Sequence, residues 1–80
     1  MNLEIVTPGR KVYSGQIRLI KVPGSKGSFE ILNNHAPIVS TLDVGTIKII
    51  TTDEQEITFD VEGGVIEATD NNIIVLADTV

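Results

Sequence analysis

The 80-residue chain has no cysteine and no tryptophan, a single histidine, and only Tyr13, Phe29 and Phe59 as larger aromatics. Without cysteine, neither a disulfide framework nor a thiolate metal site can supplement the core. Three scattered aromatics make no stacking platform for bases or sugars. Long apolar runs are missing too. The longest aliphatic run, "IIVLA" at 73–77, is far below the roughly 20 residues that a membrane-spanning helix needs. The opening "MNLEIV" has no basic segment followed by a long apolar one. Positive charge is scarce, with six Lys and Arg against eleven Asp and Glu and a net charge of −5, which argues against nucleic-acid binding of the usual electrostatic kind. A chain of this size buries only about 60% of its unfolded surface, so packing alone must stabilise one domain spanning 1–80.

The charge that is present is unevenly placed. Arg10, Lys11, Arg18, Lys21, Lys26 and Lys48 all fall in the first 48 positions, opposed there only by Glu4, Glu30 and Asp43. The remainder carries eight acids and no base. Solvated strand exteriors account for most of these residues, but the contrast predicts a molecule whose two sides meet different partners.

Periodicity reads β almost throughout, because apolar and polar residues alternate at spacing 2 and no dozen residues carry a helical stripe. Leu3 and Ile5 share a face, as do Ile47 and Ile49, and likewise Ile57, Phe59 and Val61. In "QIRLIKV" the phase slips, Ile17 and Leu19 on one face and Ile20 and Val22 on the other, which predicts a bulge or a strand bending between sheets. "NIIVLA" is apolar on both faces and is expected in the interior. Turn residues at Pro8-Gly9, Ser14-Gly15, Pro23-Gly24, Gly27, Asp53, Gly63-Gly64 and Asp70-Asn71-Asn72 offer positive or preset φ. Short strands between such breakers predict an all-β sandwich or flattened barrel.

Motifs with catalytic potential are few. "PGSKGS" at 23–28 places Lys26 before Gly27 with no helix pattern after it, whereas a phosphate loop needs its lysine after the second glycine at a helix start. Ser40, His35 and Asp43 are the residue types of a hydrolytic triad, but no nucleophile elbow surrounds the serine. One histidine among scattered carboxylates fits no common metal-ligand spacing. His35 therefore has three readings: a hydrogen-bonder that fixes its loop, a contact to a partner, or a general base, the last lacking an evident partner group.

The stretch "GSKGSFEILNNHAPIVSTLDVGTIKI", followed by "VEGGVIEATDNNIIVLAD", resembles the epsilon subunit of F-type ATP synthases. The loop, His-Ala-Pro, Gly-x-Ile strand, Gly-Gly turn and closing Val-Leu-Ala-Asp occur in the family's order, and the N-terminal "LEIVTPGRKVYSGQIRLIKVPG" fits its first strands. The resemblance implies a flattened ten-stranded sandwich of two mostly antiparallel sheets. It further implies a non-catalytic rotor subunit of the central stalk, without cofactor or metal, docked between the gamma subunit and the polar loops of the proteolipid (c) ring. Such a subunit couples proton or sodium flow to ATP synthesis. It works peripherally at the cytoplasmic face of a bacterial inner membrane, without inserting into the bilayer. By position, Ser25, Lys26, Gly27, Ser28 and Glu30 match the ring-facing loop. His35, Ala36 and Pro37 match the joint of gamma and ring, and Thr7, Ser40, Glu62 and Glu67 the gamma-facing side.

Two departures qualify this. Glu30 stands where the family often has glycine, so an ordinary negative φ or a rebuilt loop is expected there. The family's helical hairpin after Ala-Asp has no counterpart in 1–80, so self-inhibition and ATP sensing are not expected of these residues. The alternative outside the family is a free-standing β-sandwich binding module.

Overall fold

The computed structural model describes all of Met1–Val80. It contains strands and no helix: β1 (Asn2–Thr7), β2 (Arg10–Val22), β3 (Phe29–Leu32), β4 (Ile38–Thr51), β5 (Glu56–Thr69) and β6 (Asn72–Ala77). Pairing runs β1-β6-β5-β4-β2-β3, and β1 also pairs with β2, which closes β1, β6, β5, β4 and β2 into a ring. Every pairing is antiparallel except β1 with β6. Extents of 26 × 24 × 19 Å make it a flattened barrel, in agreement with the expected class.

The expected ten strands are six. The strands β2, β4 and β5 run 13 or 14 residues, about twice the usual length, and each changes partners on the way. In β2, residues 10–16 pair with β1, and residues 17–22 pair with β4 and β3. In β5, only residues 64–69 reach β6, while most of its length lies on β4. Two layers result. Layer one holds β3, residues 17–22 of β2, 46–51 of β4 and 56–61 of β5. Layer two holds residues 10–16 of β2, β1, β6, 64–69 of β5 and 38–44 of β4. One unbroken backbone supplies a segment to each layer, where the sequence suggested two strands and a turn.

Glycines make these crossings possible. Gly63-Gly64 and Ser14-Gly15, expected as turns, lie inside β5 and β2. Gly64 has φ +147°, and a Cβ built on it would sit 2.2 Å from the Leu76 carbonyl oxygen, so only glycine lets β6 come this close at the bend. In β2 the crossing is the register shift between Ile17 and Leu19, the bulge that the phase slip predicts. Ile17, Ile20 and Val22 enter the core. Leu19 is buried on the other side, opposite Leu32 and Ile50.

The two inner faces share one core of sixteen residues, with Leu3, Ile5, Ile47, Ile49, Ile66 and Val75 among those fully enclosed. Tyr13 and Phe59 pack edge to face across it, with ring centroids 5.9 Å apart. One expectation fails: "NIIVLA" is central in its sheet but not in the interior. Ile73, Val75 and Ala77 are buried, whereas Ile74 and Leu76 remain 42% and 55% exposed. A strand flanked on both edges can still have one uncovered face, which two-sided hydropathy does not distinguish.

Candidate interaction surfaces

The outer face of layer two carries Val39, Ile74 and Leu76, three of the chain's six exposed large hydrophobics. Cross-strand register aligns Val6, Leu76, Val65 and Thr41 in one row, and Glu4, Ile74, Glu67 and Val39 in the next. Val39 is 69% exposed. Glu4 is held by Lys11 at 2.6 Å, whereas Glu67 forms none of the chain's three ion pairs. At the Leu76 end a shallow hollow of about 340 Å³ is lined by Val6, Thr7, Pro8, Leu76, Ala77 and Asp78. Contiguous apolar groups beside an unpaired charge mark a surface suited to another protein.

The expected gamma-facing residues are distributed unevenly over this region. Glu67 lies within the apolar rows and Thr7 beside the hollow. Ser40 is half-buried on the opposite side of β4 from Val39 and Thr41, and its hydroxyl donates to the Thr41 carbonyl at 3.0 Å. Glu62 sits opposite Val44 at the crossing between layers.

The segment 23–28 packs along the otherwise open edge of β4. The Ser25 N–H donates to the Thr41 carbonyl (3.0 Å), the Asp43 N–H to the Pro23 carbonyl (2.8 Å), and the Gly27 N–H closes a turn onto Gly24 (3.0 Å). The Thr41 hydroxyl donates to Ser25 Oγ at 2.9 Å. Together, residues 25–29 and 39–41 line a groove of about 490 Å³, with Ser25, Lys26, Gly27 and Ser28 exposed. Glu30 lies beyond this loop, in β3 opposite Lys21. Its φ is not positive, so glycine's freedom is not needed there.

His35, Ala36 and Pro37 are exposed between β3 and β4. The His35 N–H donates to the Leu32 carbonyl at 3.2 Å, and its Nδ1 lies 2.7 Å from the Ala36 carbonyl oxygen. Both Ser40 and His35 thus hydrogen-bond to neighbouring carbonyls and not to each other, so the triad residue types do not form a triad. Nowhere do three His, Cys, Asp or Glu side chains converge as a metal site.

Sequence reasoning missed the apolar rows as a surface, and with them Val6, Val39, Val65, Ile74 and Leu76. The two-sided hydropathy of 73–77 was the available signal. It also missed Asn34 and Asn71, whose contact spans 37 positions and leaves no local trace.

The fold and surfaces define a small β-sandwich domain with one apolar outer sheet. The chain belongs to the family of the ATP synthase Delta/Epsilon chain, beta-sandwich domain, whose model matches residues 1–80. An ATP synthase epsilon chain of Leptospira borgpetersenii is 41% identical over 78 residues, an alignment covering 98% of this chain and 61% of that relative. One of Chlorobaculum tepidum is 37% identical over 78 residues, covering 98% of this chain and 89% of the relative. This chain thus spans under two thirds of the Leptospira relative's length. The fold is similar to that of a chain in the Euglena gracilis mitochondrial ATP synthase OSCP/F1/c-ring structure, with a TM-score of 0.85, 14% identity, and 94% of this chain and 48% of that one covered. A chain of the Tetrahymena thermophila mitochondrial ATP synthase central stalk and c-ring gives a TM-score of 0.80 at 22% identity, covering 98% and 63% respectively.

Proposed function

We propose that the chain is a non-catalytic component of the central stalk of an F-type ATP synthase, docked to the gamma subunit through the outer face of layer two. The observation that carries this reading is the pair of apolar rows on a fully paired sheet. Val6, Val39, Val65, Ile74 and Leu76 stay accessible although the barrel is closed, so they need another protein to cover them. Family membership names the assembly in which that protein is found. The loop at 25–28, with the groove behind it, is the element turned toward the polar loops of the c-ring. The whole domain rotates with gamma and helps transmit ion flow to the catalytic head, peripheral to the membrane on its cytoplasmic side.

Co-expression with the gamma subunit of the same genome, followed by size-exclusion chromatography with light scattering, tests the reading. A one-to-one complex is expected. Two separate peaks would reject docking through this domain and favour an independent β-sandwich binding module.

A further inference from the structure

Residues 33–37 link β3 to β4 and are exposed throughout, yet they are tied to a distant turn. Asn34 has φ +64°, and its N–H donates to Asn71 Oδ1 at 2.8 Å. Asn71 has φ +60° in the β5–β6 turn, and its Nδ2 donates back to Asn34 Oδ1 at 3.3 Å. The Asn71 carbonyl accepts the Asn2 N–H at 2.8 Å, which anchors the far side of this clasp to β1. Asparagine tolerates the left-handed region better than most residues, so both ends of the clasp suit their backbone.

The next residue inherits the order. A carbonyl oxygen can only accept, so the 2.7 Å contact between His35 Nδ1 and the Ala36 carbonyl requires the hydrogen to be on Nδ1. In the neutral ring Nε2 is then a bare acceptor, and no group of the chain donates to it. The titratable neighbour around the same hollow, shared with Asn34, Pro37 and Asn71, is Asp70. Its carboxyl makes no hydrogen bond to the ring, whose one contact is to the Ala36 carbonyl. Pro37 leads directly into β4, whose Val39 belongs to the apolar rows, so this nitrogen stands at the margin of the face assigned to gamma.

Resting on that assignment, we propose that Asn71 is a positioning residue and His35 a specificity-determining one. The clasp orients the imidazole so that Nε2 accepts a hydrogen bond from an N–H or O–H group of the gamma subunit.

Two amides separate the roles of the ring nitrogens. In His35→Asn an amide nitrogen can replace Nδ1 without reaching outward, and in His35→Gln an amide oxygen can replace Nε2. Affinity for purified gamma is expected to fall about tenfold for His35→Asn and about threefold or less for His35→Gln, the scale of one hydrogen bond. Asn71→Ala is expected to weaken binding by a similar factor. Asn71→Asp, which keeps the acceptor for the Asn34 N–H, should recover most of it. In the free chain, the ¹⁵N resonances of the neutral ring should report a single Nδ1–H tautomer. Asn71→Ala should lose that tautomer and the exchange protection of the Asn34 amide, and Asn71→Asp should keep both.

The reverse order for the two His35 variants overturns the Nε2 contact, and an unchanged tautomer and affinity in Asn71→Ala overturn the clasp. If the wild-type chain does not bind gamma, the contact falls with the functional reading. The free-chain resonances then still decide whether Asn71 positions the loop.

Discussion

The two outer faces of the barrel are formed largely by the same three strands, yet they are finished in opposite ways. On layer one, most charges have a partner and only Leu32, 49% exposed, is a large apolar group left open: Leu19 is buried between Leu32 and Ile50, Glu30 lies opposite Lys21, Arg18 holds Glu54 at 2.9 Å, and Lys48 approaches Glu56 at 4.0 Å. On layer two, Ile74, Leu76 and Val39 are left open and Glu67 has no cation. A sheet that satisfies its own side chains needs water and little else, whereas one that leaves apolar rows uncovered is stable in isolation but incomplete. The distinction arises where β2, β4 and β5 cross between layers. These crossings are therefore the place where the contrast is most easily destroyed.

The largest expected effect comes from Gly64→Ala. The new Cβ would meet the Leu76 carbonyl oxygen at 2.2 Å and the Ala77 Cα at 2.9 Å, at φ +147°. A strained φ combined with a backbone clash should cost about 3 kcal/mol or more, a large part of a small domain's stability. Gly27→Ala is the matched control, since φ is +122° there with nothing within 4 Å of the added carbon. Strain alone should cost about 1–3 kcal/mol. Urea unfolding of the two variants would separate clash from strain. Equal losses would mean that β6 can move away from the crossing and that the two layers are less tightly joined than described.

Next in size is the effect of a charge on either face. Leu76→Asp places a carboxylate in the middle of the apolar rows, and Thr58→Asp places one on layer one beside Lys48. Both sites are exposed, so melting temperatures should change little. Binding to gamma should weaken by about 100-fold or more for Leu76→Asp, in the range of a buried interface anchor, and stay within about threefold for Thr58→Asp, as at a noncontacting position. Similar losses from both would erase the assignment of one face to gamma.

A smaller effect concerns Glu67. An unpaired acid inside an interface steers encounter more than it adds affinity, so the association rate with gamma should fall as salt is raised. Glu67→Gln should flatten that dependence and also shift the dissociation rate, since the carboxylate lies among the side chains assigned to gamma. Stopped-flow mixing at low and high ionic strength would measure both, and a rate indifferent to salt would remove the electrostatic part of the model.

How far the sequence could be read follows from the range of each interaction. Alternation within a strand is local, so the inward positions of β1, of the later part of β4 and of β5 are visible from residue order alone. The bulge is equally local, since a change of phase in "QIRLIKV" has few structural solutions. The number ten is what the family resemblance implies, whereas Gly63-Gly64 and Ser14-Gly15 read as turns because they have the same composition whether the chain reverses or only bends. What separates the two cases at Gly64 is whether β6 packs against the glycine, and that is a tertiary fact. The apolar face depends on β6 being flanked by β1 and β5, a pairing that joins opposite ends of the chain. The clasp between Asn34 and Asn71 is legible only once that pairing brings the two turns together. The loop motifs at 25–28 and 35–37 entered through resemblance to a family, and the geometry explains their shapes without supplying their partners.

The finest distinction between the faces lies within layer one itself. Lys21 and Lys48 are direct cross-strand partners, and like charges so placed oppose pairing by about 0.2–1 kcal/mol. Lys21 can lean toward Glu30, its partner on the other side. Lys48 has Glu56 at 4.0 Å, an exposed contact worth little. Lys48→Thr removes the repulsion, gives up that weak contact, and places a β-branched residue in a strand. The chain should therefore become more stable by a few tenths of a kcal/mol, a shift of about 2 °C in melting temperature for a domain of this size. Affinity for gamma should not change, because Lys48 lies on the layer opposite the surface assigned to gamma. A variant that gained stability but lost binding would show that the lysine pair is kept for a partner, and that layer one is a second working surface of the domain.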